Sequence, residues 1–299
     1  MNIIWHGQSC FQITSSQGKN NQASIVIDPF SEDIGLRLPK LEADVVLVSH
    51  QHRDHNNVKA VSGNPFLIEG PGEYEIKGIF IQGISSFAQA IAKGEDEATA
   101  SLTTRAIAKG EDEATASLTT RAIAKGEDEA TASLTTRAIA KAMKTSFSSL
   151  PSPRKRGSVG EDTAAASSTH DESSGKARGE NTIYTIGTEE LRLCHLGDFG
   201  QKELTPEQLE KIGEVDVLMI PIGGVYTISA KEAAKIMSQI EPSIIIPMHY
   251  LLPKLKIKLD GLDKFLKTMG IKSIEPLNKL SIKKKDISPQ EAKIIVLKP

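Results

Sequence analysis

The sequence predicts an α/β protein. Short runs of apolar β-formers, such as Val45-Val-Leu-Val48, predict buried strands. Two capping boxes, Thr205-Pro-Glu-Gln208 and Ser229-Ala-Lys-Glu232, predict helix starts, and an apolar face follows the second. Strands follow one another in the first third of the chain, whereas strands alternate with helices towards its end. This order is typical of a layered α/β fold in which helices pack on sheets.

The predicted strands are short and are separated by turn residues. Two pairs of them, around Gly78 and Gly187, are expected to form hairpins. The predicted strands cover residues 2–6, 9–14, 24–28, 44–49, 66–69, 73–76, 78–82, 181–187, 190–195, 215–220, 243–248 and 293–297.

Three helices are predicted between and after the later strands. Thr205 is expected to cap the first, and Pro206 occupies its first position. Ser229 is expected to cap the second, and Asp260 to open a third that closes near a glycine. The expected ends are at about Ile212, Ile240 and Gly270.

Three histidines and one aspartate crowd the segment after the strand at 44–49: His50, His52, Asp54 and His55. Imidazole and carboxylate groups are ligands that suit zinc and neighbouring divalent metals. If the extended backbone continued, His50 and His52 would point to one face and bind one ion together. Asp54 and His55, beyond the turn, would face a second ion. A solvated loop that happens to be rich in histidine is the alternative, but metal binding is the usual explanation of such clusters.

His50-Gln-His-Arg-Asp-His55 resembles the His-x-His-x-Asp-His signature of the metallo-β-lactamase superfamily. Further segments resemble its lactonase-like and phosphodiesterase-like hydrolases, so that the resemblance covers roughly residues 1–87 and 170–255. It implies a four-layered αβ/βα sandwich, in which two mixed sheets pack between outer helices. The further segments are Trp5–Phe11, Ile27–Pro29, His195–Asp198 and Pro247–Tyr250.

The resemblance implies a site for two divalent metal ions, with zinc preferred and manganese or iron as alternatives. Three histidines would hold the first ion, and an aspartate with two histidines would hold the second. An aspartate in a Gly-Asp turn would bridge the two ions. In that order, the implied ligands are His50, His52 and His170; Asp54, His55 and His249; and Asp198.

The third ligand of the first ion has two candidates. His170 matches the His-Asp segment of the family, whereas His195 lies on a well-marked strand only three residues before Asp198. The resemblance favours His170, which leaves His195 as a core or supporting residue. Asp28 is a candidate acceptor for the second N–H of a ligating histidine, or a turn residue at a strand end. Gln8 stands where relatives often have histidine, so the role of that position stays open.

The implied activity is that of a metal-dependent hydrolase. Hydroxide activated by the metal pair would attack an ester, lactone or phosphodiester substrate, with Asp54 orienting the nucleophile or accepting its proton. A catalytically impaired metal-binding protein of the same fold is one alternative, and a nucleic-acid nuclease is another. A nuclease needs a basic groove. Outside residues 88–169 the positive charges are scattered, apart from Lys254–Lys258 and Lys283–Lys285.

Residues 88–169 interrupt the pattern of the domain. A 16-residue unit that begins at Ala90 occurs three times without change, and each copy has only two large apolar residues. That is too little apolar surface to offset the entropy of ordering. We expect a low-complexity, disordered insertion within a single metallo-hydrolase domain formed by 1–87 and 170–299. A helical repeat arm that binds a partner is the alternative.

The amino-acid composition limits which binding partners and which cellular environment are expected for this protein. The formal charge of −2 provides no global basic field that would favour binding of nucleic acid. A small-molecule substrate is expected. Neither a run of 18 apolar residues nor a leader-like start is present, so no membrane segment or signal peptide is expected. The two cysteines, Cys10 and Cys194, lie in separate apolar runs and are expected to be reduced, buried thiols of a cytoplasmic protein. The sequence leaves open whether the protein forms a homo-oligomer.

Overall fold

The computed structural model describes residues 1–17, 21–88, 179–188, 191–287 and 292–299. The predicted insertion, apart from Ala88, lies outside these described residues, and so does His170. The chain divides into two compact units, Met1–Ala90 with Gly175–Pro299, and Ile91–Ser174. All of the described elements belong to the first unit.

Six strands form the first sheet: β1 (Asn2–Gly7), β2 (Cys10–Gln17), β3 (Asn21–Ile27), β5 (Val45–Leu47), β7 (Phe66–Ile68) and β14 (Leu280–Ser281). They lie in the order β14-β1-β2-β3-β5-β7. The strands from β14 to β3 pair antiparallel, whereas β3, β5 and β7 run parallel. A small separate sheet pairs β4 (Leu41–Glu42) with β6 (Val61–Ser62).

Seven strands form the second sheet: β8 (Gly72–Ile76), β9 (Ile79–Phe87), β10 (Glu180–Gly187), β11 (Arg192–His195), β12 (Val217–Pro221), β13 (Ile244–Met248) and β15 (Lys293–Ile294). Their order is β15-β13-β12-β11-β10-β9-β8. The strands from β8 to β11 are antiparallel, which confirms both predicted hairpins, and the strands from β11 to β15 are parallel. Phe87 on β9 pairs with Glu180 on β10, so the chain leaves and re-enters this sheet at neighbouring positions.

The described helices are α1 (Pro206–Ile212), α2 (Ala230–Ile240) and α3 (Leu262–Thr268), with 3-10 turns at Glu32–Ile34, Val58–Ala60 and Lys284–Asp286. Thr205 and Ser229 cap α1 and α2 with complete capping boxes, as predicted. The longest of these helices, α2, has 11 residues. Within the described ranges, therefore, no helix approaches the roughly 20 apolar residues that span a bilayer.

The third helix starts later than predicted. Its N-cap is Gly261 rather than Asp260, and no side chain caps it. The prediction was wrong because the backbone of Asp260 is already engaged. Its N–H donates to the carbonyl of Gly223 at 2.8 Å, and its carbonyl accepts from the N–H of Leu251 at 3.0 Å.

Alternating side chains place the hydrophobic core between the two sheets. On β3, Ile25 and Ile27 belong to the central core, together with residues of the second sheet and of all three helices. Val26, between them, points to the outer face of the first sheet, where Phe30 and Ile34 cover it. The outer layer on the second sheet is thus α-helical, whereas short turns build much of the layer on the first. The predicted α/β sandwich is confirmed.

Candidate metal centre

Three strand ends bring the candidate ligands to one edge of the sheets. β5 ends at Leu47, three residues before His50. β11 ends at His195 and leads to Asp198, and β13 ends at Met248, directly before His249. Because β5 belongs to the first sheet and the other two strands to the second, the site lies where the two sheets meet.

Six of the seven predicted ligands come together there. Asp198 Oδ1 lies 3.3 Å from Nε2 of both His55 and His249, and its Oδ2 lies 3.7 Å from His50 Nε2. Asp54 Oδ2 lies 3.5 Å from His55 Nε2 and 3.9 Å from His249 Nε2. The six residues are His50, His52, Asp54, His55, Asp198 and His249. The seventh, His170, lies outside the described part of the chain.

The loop that carries His50 and His52 turns at once, so the extended backbone of the strand does not continue through these two residues. The N–H of His52 donates to the carbonyl of His50 at 3.0 Å, and the N–H of His55 donates to the carbonyl of His52 at 2.9 Å. The turn still stacks the rings of His50 and His52, with centroids 6.1 Å apart, and it brings His52 Nδ1 against Asp54 Oδ1. The His52 side chain is 47% exposed, so His52 lies on the solvent side of the site.

Asp28 orients two of the imidazoles. Its carboxylate accepts the N–H of Ser49 at 2.7 Å, the Ser49 hydroxyl at 2.7 Å and His55 Nδ1–H at 2.9 Å. Because the Ser49 proton goes to Asp28, Ser49 Oγ can accept from His50 Nδ1, which lies 3.2 Å away. This network places a ring proton of His50 and of His55 on Nδ1, so that Nε2 of both rings faces Asp198.

The backbone holds both ring nitrogens of His195. Nε2 donates to the carbonyl of Ser9 at 3.0 Å, and Nδ1 accepts the N–H of Gly197 at 3.1 Å. His195 therefore shapes the turn that carries Asp198 and has no free lone pair for a metal. Gly197 has φ +58°, and a Cβ there would clash with the Asn181 side chain, which accepts the N–H of Asp198 at 2.8 Å.

The buried imidazoles and carboxylates of the site shift one another's pKa values. Burial opposes protonation of His55, but Asp198, Asp54 and Asp28 outweigh it and raise the pKa of His55 well above its usual value. Burial and the neighbouring His55 lower the pKa of His50 to about 4. Burial acts to raise the pKa of Asp198, yet the surrounding imidazoles hold that pKa well below its ordinary range. The carboxylates stay ionised and attract positive charge.

The donor atoms fit a divalent cation. His55 Nε2, His249 Nε2 and Asp198 Oδ1 are all buried and have no hydrogen-bond partner. Buried polar atoms are normally satisfied, and Asp198 Oδ1 lies 3.3 Å from each of the two imidazole nitrogens, so these three ligand-type atoms require an explanation. A bound cation would satisfy all three and would take the place of the proton on His55 Nε2.

Three residues around the site have left-handed backbones. Gln8, Asp28 and His249 have φ of 53°, 47° and 51°. A non-glycine residue in this region costs on the order of 1–3 kcal/mol, and such residues concentrate at functional sites. Gln8 and His249 are also bonded to each other, because the carbonyl of Gln8 accepts the N–H of His249 at 3.0 Å.

Two supporting residues were not predicted from the sequence. Ser49 connects Asp28 to His50, because its hydroxyl donates to Asp28 and accepts from His50 Nδ1. Its position beside His50 is the one sequence feature that could have suggested this role. Asn181 lies on β10, and its hold on Asp198 exists only because β10 pairs with β11.

Comparison with known proteins identifies the family. A family model described as a beta-lactamase superfamily domain matches residues 2–102 and 127–249. The chain belongs to the metallo-β-lactamase superfamily. Among solved structures of this superfamily, a Thermotoga maritima protein proposed as a Zn-dependent hydrolase is similar at 27% identity with a TM-score of 0.57. The alignment covers 99% of this chain and 97% of that protein. The predicted family is confirmed.

Curated relatives of this chain carry the group name UPF0173. A UPF0173 protein of Pyrococcus abyssi is 26% identical over 253 residues, which cover 84% of this chain and 83% of the relative. A UPF0173 metal-dependent hydrolase of Staphylothermus marinus is 40% identical over 76 residues, covering 24% of this chain and 32% of the relative. Where the match is limited to such a short segment, this chain covers 27% to 37% of the length of the relative.

Proposed function

We propose that this protein is a metal-dependent hydrolase that acts on an ester, lactone or phosphodiester bond of a small molecule. The observation that carries the proposal is the convergence of Asp54, His55 and His249, whose ligand atoms lie within 4.8 Å of one another beside Asp198. Two divalent ions, zinc by preference, would supply a water molecule whose pKa is lowered towards about 7. The hydrolase names of the similar Staphylothermus and Thermotoga proteins support the same activity.

Asp198 supports the assignment of two ions. Its Oδ2 faces His50, whereas its Oδ1 faces His55 and His249, so one carboxylate meets imidazoles on two sides. A carboxylate between two cations reduces their mutual repulsion. The first ion is assigned to His50, His52 and His170, the second to Asp54, His55 and His249, and Asp198 is shared.

Asp54 is assigned the catalytic role. Asp54 is 3% exposed, and its carboxylate lies between His52 Nδ1 and His55 Nε2. Burial acts to raise its pKa, but His55 and the other imidazoles outweigh burial and hold the pKa of Asp54 well below its usual value. An ionised carboxylate in this position would orient the attacking water or accept its proton.

Metal analysis followed by hydrolysis assays tests the proposal. We expect two ions per chain and turnover of bis(p-nitrophenyl) phosphate or of a simple lactone. His52→Ala is expected to lose metal and activity together, and its exposed position spares the core. His6→Ala is the matched control, since His6 lies on β1 and belongs to none of the ligand groups found among the described residues. Two tightly held ions without turnover on a broad ester panel would instead indicate a metal-binding protein and overturn the hydrolase assignment.

A further inference from the structure

Gln8 is buried and forms hydrogen bonds to two candidate metal ligands, Asp54 and His249. We propose that Gln8 is a positioning residue that raises metal affinity by holding the carboxylate of Asp54 in its binding orientation. This inference rests on the proposed function, because it assigns a role around the same metal centre.

The side chain of Gln8 makes a directed bond to a ligand. Gln8 is 0% exposed, and its Nε2 donates to Asp54 Oδ2 at 3.1 Å. The amide must point its NH₂ group at Asp54, since an amide oxygen against an ionised carboxylate would be repelled. The same Asp54 oxygen lies 3.5 Å from His55 Nε2, so Gln8 acts on the ligand atom that faces the imidazoles.

The backbone of Gln8 holds a second ligand. Its carbonyl accepts both the indole N–H of Trp5 at 2.9 Å and the N–H of His249 at 3.0 Å. Gln8 therefore links Asp54, in the loop after β5 of the first sheet, to His249, directly after β13 of the second sheet. The left-handed φ of 53° at Gln8 persists because the surrounding bonds impose it.

The amide oxygen of Gln8 takes no part in a hydrogen-bond network among the described residues, so the bond from its NH₂ group to Asp54 stands alone. Gln8 Oε1 is buried and has no hydrogen-bond partner. A buried acceptor without a donor is unfavourable, so an apolar side chain would suit a purely structural role better. Polarity at this position is explained by the single bond to Asp54.

Cobalt titration of the metal-free, full-length protein tests the inference, because bound Co²⁺ reports its ligand geometry in its visible spectrum. Gln8→Met keeps the length of the side chain and removes the hydrogen bond. Gln8→Asn keeps an amide that is too short to reach Asp54, and asparagine tolerates positive φ. Gln208→Met is the matched control, since Gln208 is another buried glutamine and bonds the carbonyl of Ser85 at 2.9 Å.

Both Gln8 variants are expected to bind Co²⁺ about 10- to 100-fold more weakly and to show an altered spectrum. The Gln208→Met protein should keep the wild-type affinity and spectrum even if it melts at a lower temperature. Wild-type affinity and spectrum in the Gln8 variants would overturn the inference and leave the proposed function intact. If Gln8→Met does not fold, Gln8→Asn decides alone. A wild-type protein that binds no cobalt would overturn the metal centre and this inference with it.

Discussion

His55 Nδ1 donates a 2.9 Å hydrogen bond to Asp28 Oδ2, and both side chains are completely buried. The bond joins the end of β3 to the loop after β5, and these strands are parallel neighbours in which Ile27 pairs with Leu47. Because the same carboxylate also binds Ser49, it sets the orientation of the whole histidine loop. Asp28 therefore determines which way two imidazoles face.

Asp28→Asn is expected to weaken metal binding by about 10- to 100-fold. An amide has one acceptor oxygen, so its NH₂ group would face one of the donors on Ser49 or His55. Asparagine tolerates positive φ, so the backbone is expected to be retained. A competition titration against a chelating dye measures the change.

The control for Asp28→Asn is Asp44→Asn. Asp44 likewise accepts a backbone N–H, from Ser24 at 2.9 Å, and it bonds Lys77 at 2.7 Å on the surface. This control should keep the wild-type metal affinity. Equal affinity in both variants would show that Asp28 does not orient the ligands.

His195→Ala is expected to destabilise the fold while leaving the number of bound ions unchanged. The substitution leaves the buried carbonyl of Ser9 and the N–H of Gly197 without partners, at a cost of about 1–3 kcal/mol each. Urea unfolding and metal analysis give the two quantities. His170→Ala serves as the comparison and is expected to lower the metal content. Loss of an ion from His195→Ala without loss of stability would make His195 the ligand instead.

Deletion of residues 88–169 is expected to preserve the fold and metal binding. Phe87 pairs with Glu180, so the strands on either side of the deleted segment already lie next to each other. Shortening a loop reduces the entropy lost on closing it, so the melting temperature should stay the same or rise slightly. Metal stoichiometry and thermal unfolding of the deletion protein provide the measurement. An insoluble or metal-free product would contradict the assignment of this segment as an insertion.

Both thiols are expected to resist modification in the native protein. Cys10 and Cys194 are free and buried; burial raises the pKa of Cys194 to about 12 and the pKa of Cys10 well above its usual value. Because only the thiolate reacts, raising the pH through the ordinary thiol range, about 8.5, should not accelerate native labelling. Ellman's reagent should detect two thiols per chain in guanidinium chloride. Rapid reaction at pH 8 without denaturant would contradict the burial.

Local patterns were sufficient for much of the fold. Hairpin turns at Gly78 and Gly187 and the capping boxes at Thr205 and Ser229 depend on neighbouring residues, and all four are present. The start of α3 was predicted wrongly because distant backbone partners of Asp260 compete with the helix. The two-residue strands β4, β6 and β14 were missed because so short a segment has no period of its own.

The types and order of the candidate ligands were already present in the amino-acid sequence, since spacing alone grouped His50, His52, Asp54 and His55 at the end of a strand. The directions of those ligands came from tertiary contacts. Asp28, Asn181 and Gln8 act from other strands and loops, across hydrogen bonds that form only when the sheets pair and pack. The sequence gives the type of each candidate ligand and its neighbours along the chain. In a buried site, however, the hydrogen-bond partners that orient a ligand lie far away in sequence. Only the folded chain therefore decides which ring nitrogen would face a metal ion.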